Sequence, residues 1–400
     1  MLNLFHREGR KGTRSKNKIE RLPLRPFASF AVFAFQIFNA ALAAELADKL
    51  YTQHCAACHG VDRLGGTGPA LLPENLERLR KPQAINTITE GRVATQMQGF
   101  GKLLSKDEIQ SLADFVYTVP ASVPKWGLEE INASHIVNNP DGSLPNKPTF
   151  KADPLNLFVV VETGDHHATI LDGDKFEPIH RFQTRFALHG GPKFSPDGRF
   201  VYFASRDGWI SKFDIYNLKT TAEIRAGINT RNLAVSGDGR YVLVGNYLPH
   251  TLVVLDAKDL KPLKLIAVQD KMGKTSRVSA VYDAAPRKSF IAALKDLKEV
   301  WEIPYSDDAD PVYEGLVHDY RYGEAIAAKG PFPIRRIVLE DYLDDFYFDQ
   351  PYTHLMGASR EGGKGQVINL DVRRKIADLD LPGMPHLGSG ITWDFDGKPV

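Results

Sequence analysis

The 400-residue sequence predicts a small all-α domain followed by an all-β propeller. Three observations carry that prediction. A turn, Ser195-Pro-Asp197-Gly198-Arg199, recurs as Ser236-Gly-Asp238-Gly239-Arg240, forty-one residues later. Apolar strands end in Asp at Asp172, Asp214 and Asp256, a spacing of forty-two. Upstream, two segments with helical spacing bracket the stretch Cys55-Ala-Ala-Cys58-His59. A chain of this length and ordinary composition buries more than one core, which agrees with two domains. The net charge of +1 gives no general case for binding nucleic acid or a membrane surface.

Residues 1–44 read as a signal peptide. A basic n-region containing Arg7, Arg10, Lys11, Arg14, Lys16 and Lys18 precedes an apolar run from Pro26, which ends in small residues near Ala43 and Ala44. The alternative is an uncleaved anchor, but about 16–18 apolar residues is short for a span. The expected compartment is the periplasm, with no permanent membrane anchor.

Residues 45–120 form the helical domain. Two thiols separated by two residues and followed by His make a c-type haem attachment pattern: Cys55 and Cys58 form thioethers to the vinyl groups, and His59 ligates the iron. The chain has only these 2 cysteines. A zinc site wants four ligands and a two-residue gap is tight for a structural disulfide, so covalent haem c is the reading. Covalent attachment outside the cytoplasm agrees with export. The run Gly65-Gly66-Thr67-Gly68-Pro69-Ala70 suits a loop around a haem edge. A helix runs from Glu45 into the motif, and a second opens at Ser105 with a capping box to Glu108, then Ile109, Leu112, Phe115 and Val116. Two such helices around a haem resemble the cytochrome c fold. That resemblance implies a Met just before the last helix as sixth ligand, here Met97; the alternative is that Met97 only packs on the porphyrin, with His54 or a distant residue ligating.

Residues 121–152, punctuated by Pro124, Pro140, Pro145 and Pro148, read as an extended linker. Trp126 is a candidate to pack on a domain, and His135 reads as a surface residue. Residues 153–400 alternate β-rich runs with Asp-Gly hairpin turns. A unit of forty-odd residues with four strands is a propeller blade, and the regular period disfavours a sandwich. The chain holds about six blades, and Phe395-Asp396-Gly397-Lys398 opens another turn at its end. An open ring leaves a bare strand edge, so the expectation is that a C-terminal part is missing, roughly 80–100 residues for an eight-bladed ring.

A c-type domain followed by this repeat resembles the cytochrome cd1 family over about residues 45–400. The matching stretches are Phe186-Ala-Leu-His189-Gly-Gly-Pro-Lys193, Ser205-Arg206-Asp207-Gly208, Gly227-Ile-Asn-Thr-Arg231-Asn232 and Gly383-Met-Pro-His386-Leu-Gly-Ser-Gly390. The resemblance implies non-covalent binding of haem d1 or dihydro-haem d1 in the propeller, with His189 as proximal iron ligand. It also implies Lys193, Arg206 and Arg231 as partners of the tetrapyrrole carboxylates, since guanidinium binds carboxylate bidentately; Arg181 and Arg185 are nearby options. Other arginines in Asp-Gly-Arg turns read as solvated hairpin tips, and His166 and His167 as a solvated loop pair.

In the nitrite reductases of the family two distal histidines deliver protons. His386 matches the second, whereas the first falls near Asp344, so half the relay is missing. That absence counts against nitrite reduction, and within the family the chain most resembles the branch that finishes the d1 macrocycle by oxidising a propionate side chain of dihydro-haem d1 to an acrylate. His386, with His354 as a second candidate, is the implied base, and electrons leave through haem c to a small electron-carrier protein. A cd1 nitrite reductase is the expected recipient of the product. The competing readings are a nitrite reductase with the opposite electron flow, and a non-catalytic d1 carrier.

Overall fold

The computed structural model describes residues 44–122, 124–314, 326–327, 330–359, 363–380 and 394–399. The segment read as a signal peptide lies, apart from Ala44, outside the described residues, as does His386. No helix of the described residues is long and apolar enough to cross a membrane. From Ala47 onward the chain belongs to one compact unit.

The helical part contains α1 (44–54), α2 (Ala56–His59), α3 (Lys81–Glu90) and α4 (Lys106–Val116). The expected capping box is present: Glu108 N donates to Ser105 Oγ at 3.3 Å, and Ser105 N donates to the Glu108 carboxylate at 2.8 Å. Helix α4 buries Ile109, Leu112, Ala113 and Val116 against a core that includes Leu50 and Tyr51 of α1. Helix α3 lacks a legible apolar stripe, because Ala84 is its single buried residue. Pro82 in its first turn and the bond from Arg80 N to Gln83 (3.1 Å) start it.

The stretch read as an extended linker is built into the sheets. Helix α5 (Leu128–Ala133) sinks Ile131 completely, and strand β1 (Ile136–Val137) pairs with residues Ala222 and Glu223. Trp126 Nε1 donates to Arg225 O at 3.0 Å, and His135 Nε2 donates to Asp259 O at 2.6 Å. These anchors are single apolar residues in polar surroundings, too sparse to set up a period.

Antiparallel sheets then follow in chain order. The first is β2 (Leu157–Glu162), β3 (His167–Asp172) and β4 (Glu177–Gln183). The second is β5 (Lys193–Phe194), β6 (Phe200–Ala204), β7 (Trp209–Asp214) and β8 (Lys219–Arg225), with β1 added at its edge. The third is β9 (Asn229–Val235), β10 (Tyr241–Leu248), β11 (Thr251–Asp256) and β12 (Pro262–Ala267). The fourth joins β13 (Val278–Ala284), β14 (Ser289–Leu294) and β15 (Glu299–Pro304) to β18 (Arg335–Val338), past the small pair β16 (Tyr313–Glu314) and β17 (Ile326–Ala327). The fifth is β19 (Leu343–Phe348), β20 (His354–Ser359), β21 (Gly365–Asn369) and β22 (Arg374–Leu379). A last pair, β23 (Asp394–Phe395) and β24 (Lys398–Pro399), closes the described chain.

Neighbouring sheets pack face to face. Val201 and Phe203 point toward Ala168 and Ile170 of the first sheet, while Tyr202 and Ala204 share a core with Leu233 and Val242 of the third. Successive side chains of a strand point to opposite faces, so a strand buried on both sides reads as a continuous apolar run. That is why Phe200–Ala204 and Tyr241–Gly245 look alike in sequence.

The repeated turn has a shared chemistry. Ser195 Oγ accepts from Phe200 N and Ser236 Oγ from Tyr241 N, each at 2.9 Å. Gly198 and Gly239 sit at φ 71° and 70°, where a side chain is disfavoured. The two arginines differ, however. Arg240 is an exposed tip paired with Asp238. Arg199 is not a solvated tip: its guanidinium binds Asp214 at 2.7 Å, and the Asp214 side chain is 0% exposed. One buried ion pair thus joins the turn to the strand-ending Asp that mark the repeat.

Candidate functional site

The haem-motif side chains sit at the end of α1 and in α2. Cys58 is exposed and Cys55 half-buried; burial, with Cys58 adding to it, pushes the Cys55 thiol up to about 11. His59 is buried, which lowers its pKa and favours the neutral ring. Its Nδ1 donates to Pro69 O at 2.7 Å, leaving Nε2 as the nitrogen suited to a metal. A Cβ on Gly68 would stand 2.8 Å from the imidazole Cε1, so the glycine loop is a fitted cradle for that ring. These features fit a c-type haem: two thiols, one oriented imidazole and a loop held close to it.

Arg63, which the sequence reading passed over, locks this region. It donates to Phe115 O at 2.7 Å and Thr118 O at 3.0 Å, serving the free carbonyls at the end of α4. Met97 is half-buried against the helical core, and its backbone N donates to Thr95 Oγ1 at 3.2 Å. The His54 ring meets Phe100 edge-on at 6.0 Å between centroids.

The second cluster lies on the sheets. His189 follows a bridge between Leu188 and Ser205, and its N donates to Ala204 O at 2.8 Å. It lines a cavity of about 300 Å³ together with Val161, Leu188, Gly190, Pro192 and Phe203. Gly190 is at φ 83°, and a Cβ there would come within 2.3 Å of Asn232. The structure brings His189 and Arg231 together: His189 Nδ1 donates to Arg231 O at 2.8 Å, and Arg231 Nη1 donates to Nε2 at 2.9 Å. Iron ligation through Nε2 requires the guanidinium to exchange that bond. Arg231 also donates through Nε to Ser279 O at 3.0 Å.

Arg206 is half-buried, and among the described residues it has no carboxylate partner. Burial, and then repulsion by Arg231, pull its pKa down to about 10, with Arg78 of the helical part adding to the repulsion. Such a guanidinium wants an anion, which fits a tetrapyrrole carboxylate. Lys193 donates to Gly190 O at 3.0 Å and stands 5.7 Å from the centre of the Tyr282 ring; its burial lowers its pKa.

Three cations surround Tyr247: Arg206 and Arg277 at 5.7 Å from the ring centre and Lys295 at 5.4 Å. Lys295 is buried and binds Asp344 at 2.9 Å. The position matched to a distal histidine of the reductases therefore carries half of an ion pair. Lys295 and Tyr247 were missed in the sequence, although a signal existed: Lys295-Asp296 follows an apolar strand as Arg206-Asp207 does.

The remaining candidates go elsewhere. Both ring nitrogens of His354 are engaged, Nδ1 by Asp349 at 2.7 Å and Nε2 by Asn369 at 3.0 Å, which is the geometry of a hairpin lock. Arg181 is paired with Glu162 and Asp165, and Arg185 with Glu223. His166 is half-buried against Phe186 rather than solvated.

A two-part haem protein is the class that this arrangement defines, and comparison with known proteins agrees. The family model described as "Cytochrome D1 heme domain" matches residues 152–400, and "Cytochrome C oxidase, cbb3-type, subunit III" matches residues 43–116. The chain belongs to the cytochrome D1 heme domain family, with a cytochrome c-type region at its N-terminal side. It is 55% identical over 353 residues to the dihydro-heme d1 dehydrogenase of Pseudomonas aeruginosa, covering 88% of this chain and 67% of that protein. It is 25% identical over 371 residues to the nitrite reductase of Stutzerimonas stutzeri, covering 87% of this chain and 62% of the reductase. A solved structure of dihydro-heme d1 dehydrogenase in complex with DHE superposes with a TM-score of 0.77 at 54% identity, covering 88% of this chain and 72% of that one.

Proposed function

We propose that this protein oxidises dihydro-haem d1 to haem d1, converting a propionate side chain to an acrylate, and passes the electrons out through haem c. The observation that carries this reading is Arg206, without a carboxylate partner among the described residues, next to Arg231, which bonds His189 at the edge of a cavity. The 55% identity to a dihydro-heme d1 dehydrogenase supports the same activity. The sheets are blades of a propeller, and the protein works in the periplasm after export by residues 1–44.

The residues divide the work. Arg206, Arg231 and Lys193 bind the carboxylates of the substrate and fix its orientation. His189 would hold the iron of the tetrapyrrole through Nε2 once Arg231 gives up its bond to that nitrogen for a carboxylate. Removing two electrons and two protons across a saturated carbon–carbon bond needs a base at the propionate, and His386 supplies it. His354 contributes only by giving up Asp349 or Asn369. Haem c, bound by Cys55, Cys58 and His59 with Met97 as sixth ligand, supplies a one-electron exit. A small electron-carrier protein takes the electrons onward, and a cd1 nitrite reductase receives the finished d1.

Nitrite reduction is the second reading, and the ion pair of Asp344 with Lys295 counts against it. That carboxylate is engaged by a buried ammonium, and no imidazole stands at its position. The test is anaerobic: oxidised protein is mixed with dihydro-haem d1, and the extracted pigment is separated by chromatography. Acrylate product establishes the dehydrogenase. Binding without conversion indicates a carrier, and formation of NO from nitrite by reduced, d1-loaded protein establishes the reductase.

A further inference from the structure

We propose that Arg225 is a positioning residue that ties the tetrapyrrole pocket to the haem c loop and so sets the electron exit. The inference rests on the reading above for the identity of the two haems, and on the geometry for the link between their sites.

Arg225 ends β8, and its backbone is fixed on both sides. Its N donates to Ser134 Oγ at 2.9 Å, and its carbonyl accepts from Trp126 Nε1 at 3.0 Å. The guanidinium lies over the Trp126 ring, 4.5 Å from its centre. From there it spans two loops. Nε donates to Asp207 O at 2.8 Å, and Nη2 donates to Leu64 O.

Each end is stiff and leads to a site. Asp207 directly follows Arg206, and a Cβ on Gly208 would come 1.7 Å from Gly227 O, so this segment is pressed against backbone. At the other end, Leu64 is buried among Ala70, Leu72, Ile228 and Leu248. The next residue, Gly65, donates its N–H to His59 O at 2.9 Å, and the same loop provides the Pro69 carbonyl that orients the His59 ring. One guanidinium therefore completes a bonded route from Arg206 to His59.

Burial lowers the Arg225 pKa, so the charge is held at a cost, and the Asp207 carboxylate offsets part of it. A half-buried cation that serves two carbonyls on separate loops is poorly replaced. Lysine has a single compact head and cannot bridge both at once.

In the electron step, one electron leaves the bound tetrapyrrole and reduces the haem c iron from Fe(III) to Fe(II). The second would follow after an external carrier, or the oxidised haem c of another molecule, has accepted the first. Arg225 touches no reacting atom; it holds the donor and acceptor sites in register.

The experiment uses the full chain with haem c attached, as wild type, Arg225→Met and Arg225→Lys. On protein without tetrapyrrole, hydrogen exchange is followed at Leu64, Gly65 and Leu71. Exchange accelerates about tenfold in Arg225→Met and less in Arg225→Lys, while β10 and β11 are unchanged. On d1-loaded protein, electron exchange between the haems slows about tenfold while tetrapyrrole affinity stays within about twofold. This exchange can be read in either direction, so it does not need turnover. Should Arg225→Met fail to fold, Trp126→Phe removes the bond to the Arg225 carbonyl and shows the same pattern at smaller size. Unchanged loop exchange, unchanged interhaem rate, or an affinity loss matching the rate loss each overturns the proposal. A wild type that forms no acrylate sinks the proposed reaction and leaves the exchange result to decide the link.

Discussion

The helical region and the sheet region hold their macrocycles by opposite means. In the helical region the proposed ligands Cys55, Cys58 and His59 lie within five residues, and the cradle around Gly68 and Pro69 comes from further along. On the sheets the proposed site is assembled from Arg206, just past β6, Arg231, within β9, and Lys295, just past β14, in three different sheets. Covalent attachment needs two thiols at a fixed gap, so a contiguous motif suffices. Non-covalent binding of a polycarboxylate needs charges spread around a ring. A repeated sheet provides them, one position per repeat.

The largest expected effect separates the two sites. Replacing Cys55 and Cys58 together with Ser abolishes covalent haem, read as loss of haem staining on a denaturing gel. Tetrapyrrole binding to the sheets survives, since none of its proposed partners is in the helical region's motif. Joint loss of both would show that the sites are not independent.

Next come the cations. Arg206→Ala and Arg231→Ala each remove a charge-assisted bond worth about 1.5–3 kcal/mol, so affinity for d1 in a spectral titration falls roughly ten- to a hundredfold. Arg231→Ala has the smaller effect, because it also releases His189 Nε2 for iron and so offsets part of the lost bond. Unchanged affinity in both variants would remove the pocket assignment.

The repeated turn allows a comparison inside the sheets. Arg199→Ala leaves Asp214 buried without its guanidinium and costs about 3 kcal/mol in denaturant unfolding. Arg240→Ala removes an exposed pair and costs less than about 1 kcal/mol. Equal costs would mean that burial of the pair does not matter.

In the helical region, Met97→Ala lowers the haem c potential and removes the absorption near ~695 nm that marks Met on ferric iron. Retention of both would transfer the sixth position to another residue, with His54 beside Phe100 as the alternative.

The smallest effect is a pH dependence. Burial raises the Asp207 pKa to about 6, so the folded protein prefers the protonated acid. That preference stabilises the fold fully below the ordinary carboxylate range and is lost as pH rises through about 6. Asp207→Asn is therefore more stable than wild type at pH 8, and its advantage shrinks as the pH is lowered through that window. A pH-independent difference would contradict the assignment.

Local features of the chain were legible where a single segment carries the cause. The haem motif, the capping box of Ser105 and Glu108, and the Asp-Gly turns each depend on neighbours within a few residues. Helix α3 was not legible, because its one inward residue, Ala84, makes no stripe. Of the clamp, Trp126 was expected to pack on a domain, whereas Ile131 and Ile136 were missed since their partners lie about ninety residues on, at Ala222 to Arg225. The same holds for the pocket. Arg206 and Arg231 were found through family likeness, whereas Lys295 and Arg277 needed the sheets to be brought together. Arg199 shows the limit from the other side, since the arginine of one turn reaches a buried carboxylate while that of the similar turn in the next repeat stays exposed.

The central claim is that oxidation on the sheets empties its electrons into the haem of the helical region. The direct measurement mixes oxidised protein, in excess and without any other acceptor, with dihydro-haem d1. It counts haem c reduced for each acrylate formed. The account predicts two reduced haems per acrylate, because the reaction removes two electrons and each haem accepts one. Acrylate accumulating while haem c stays oxidised would contradict it.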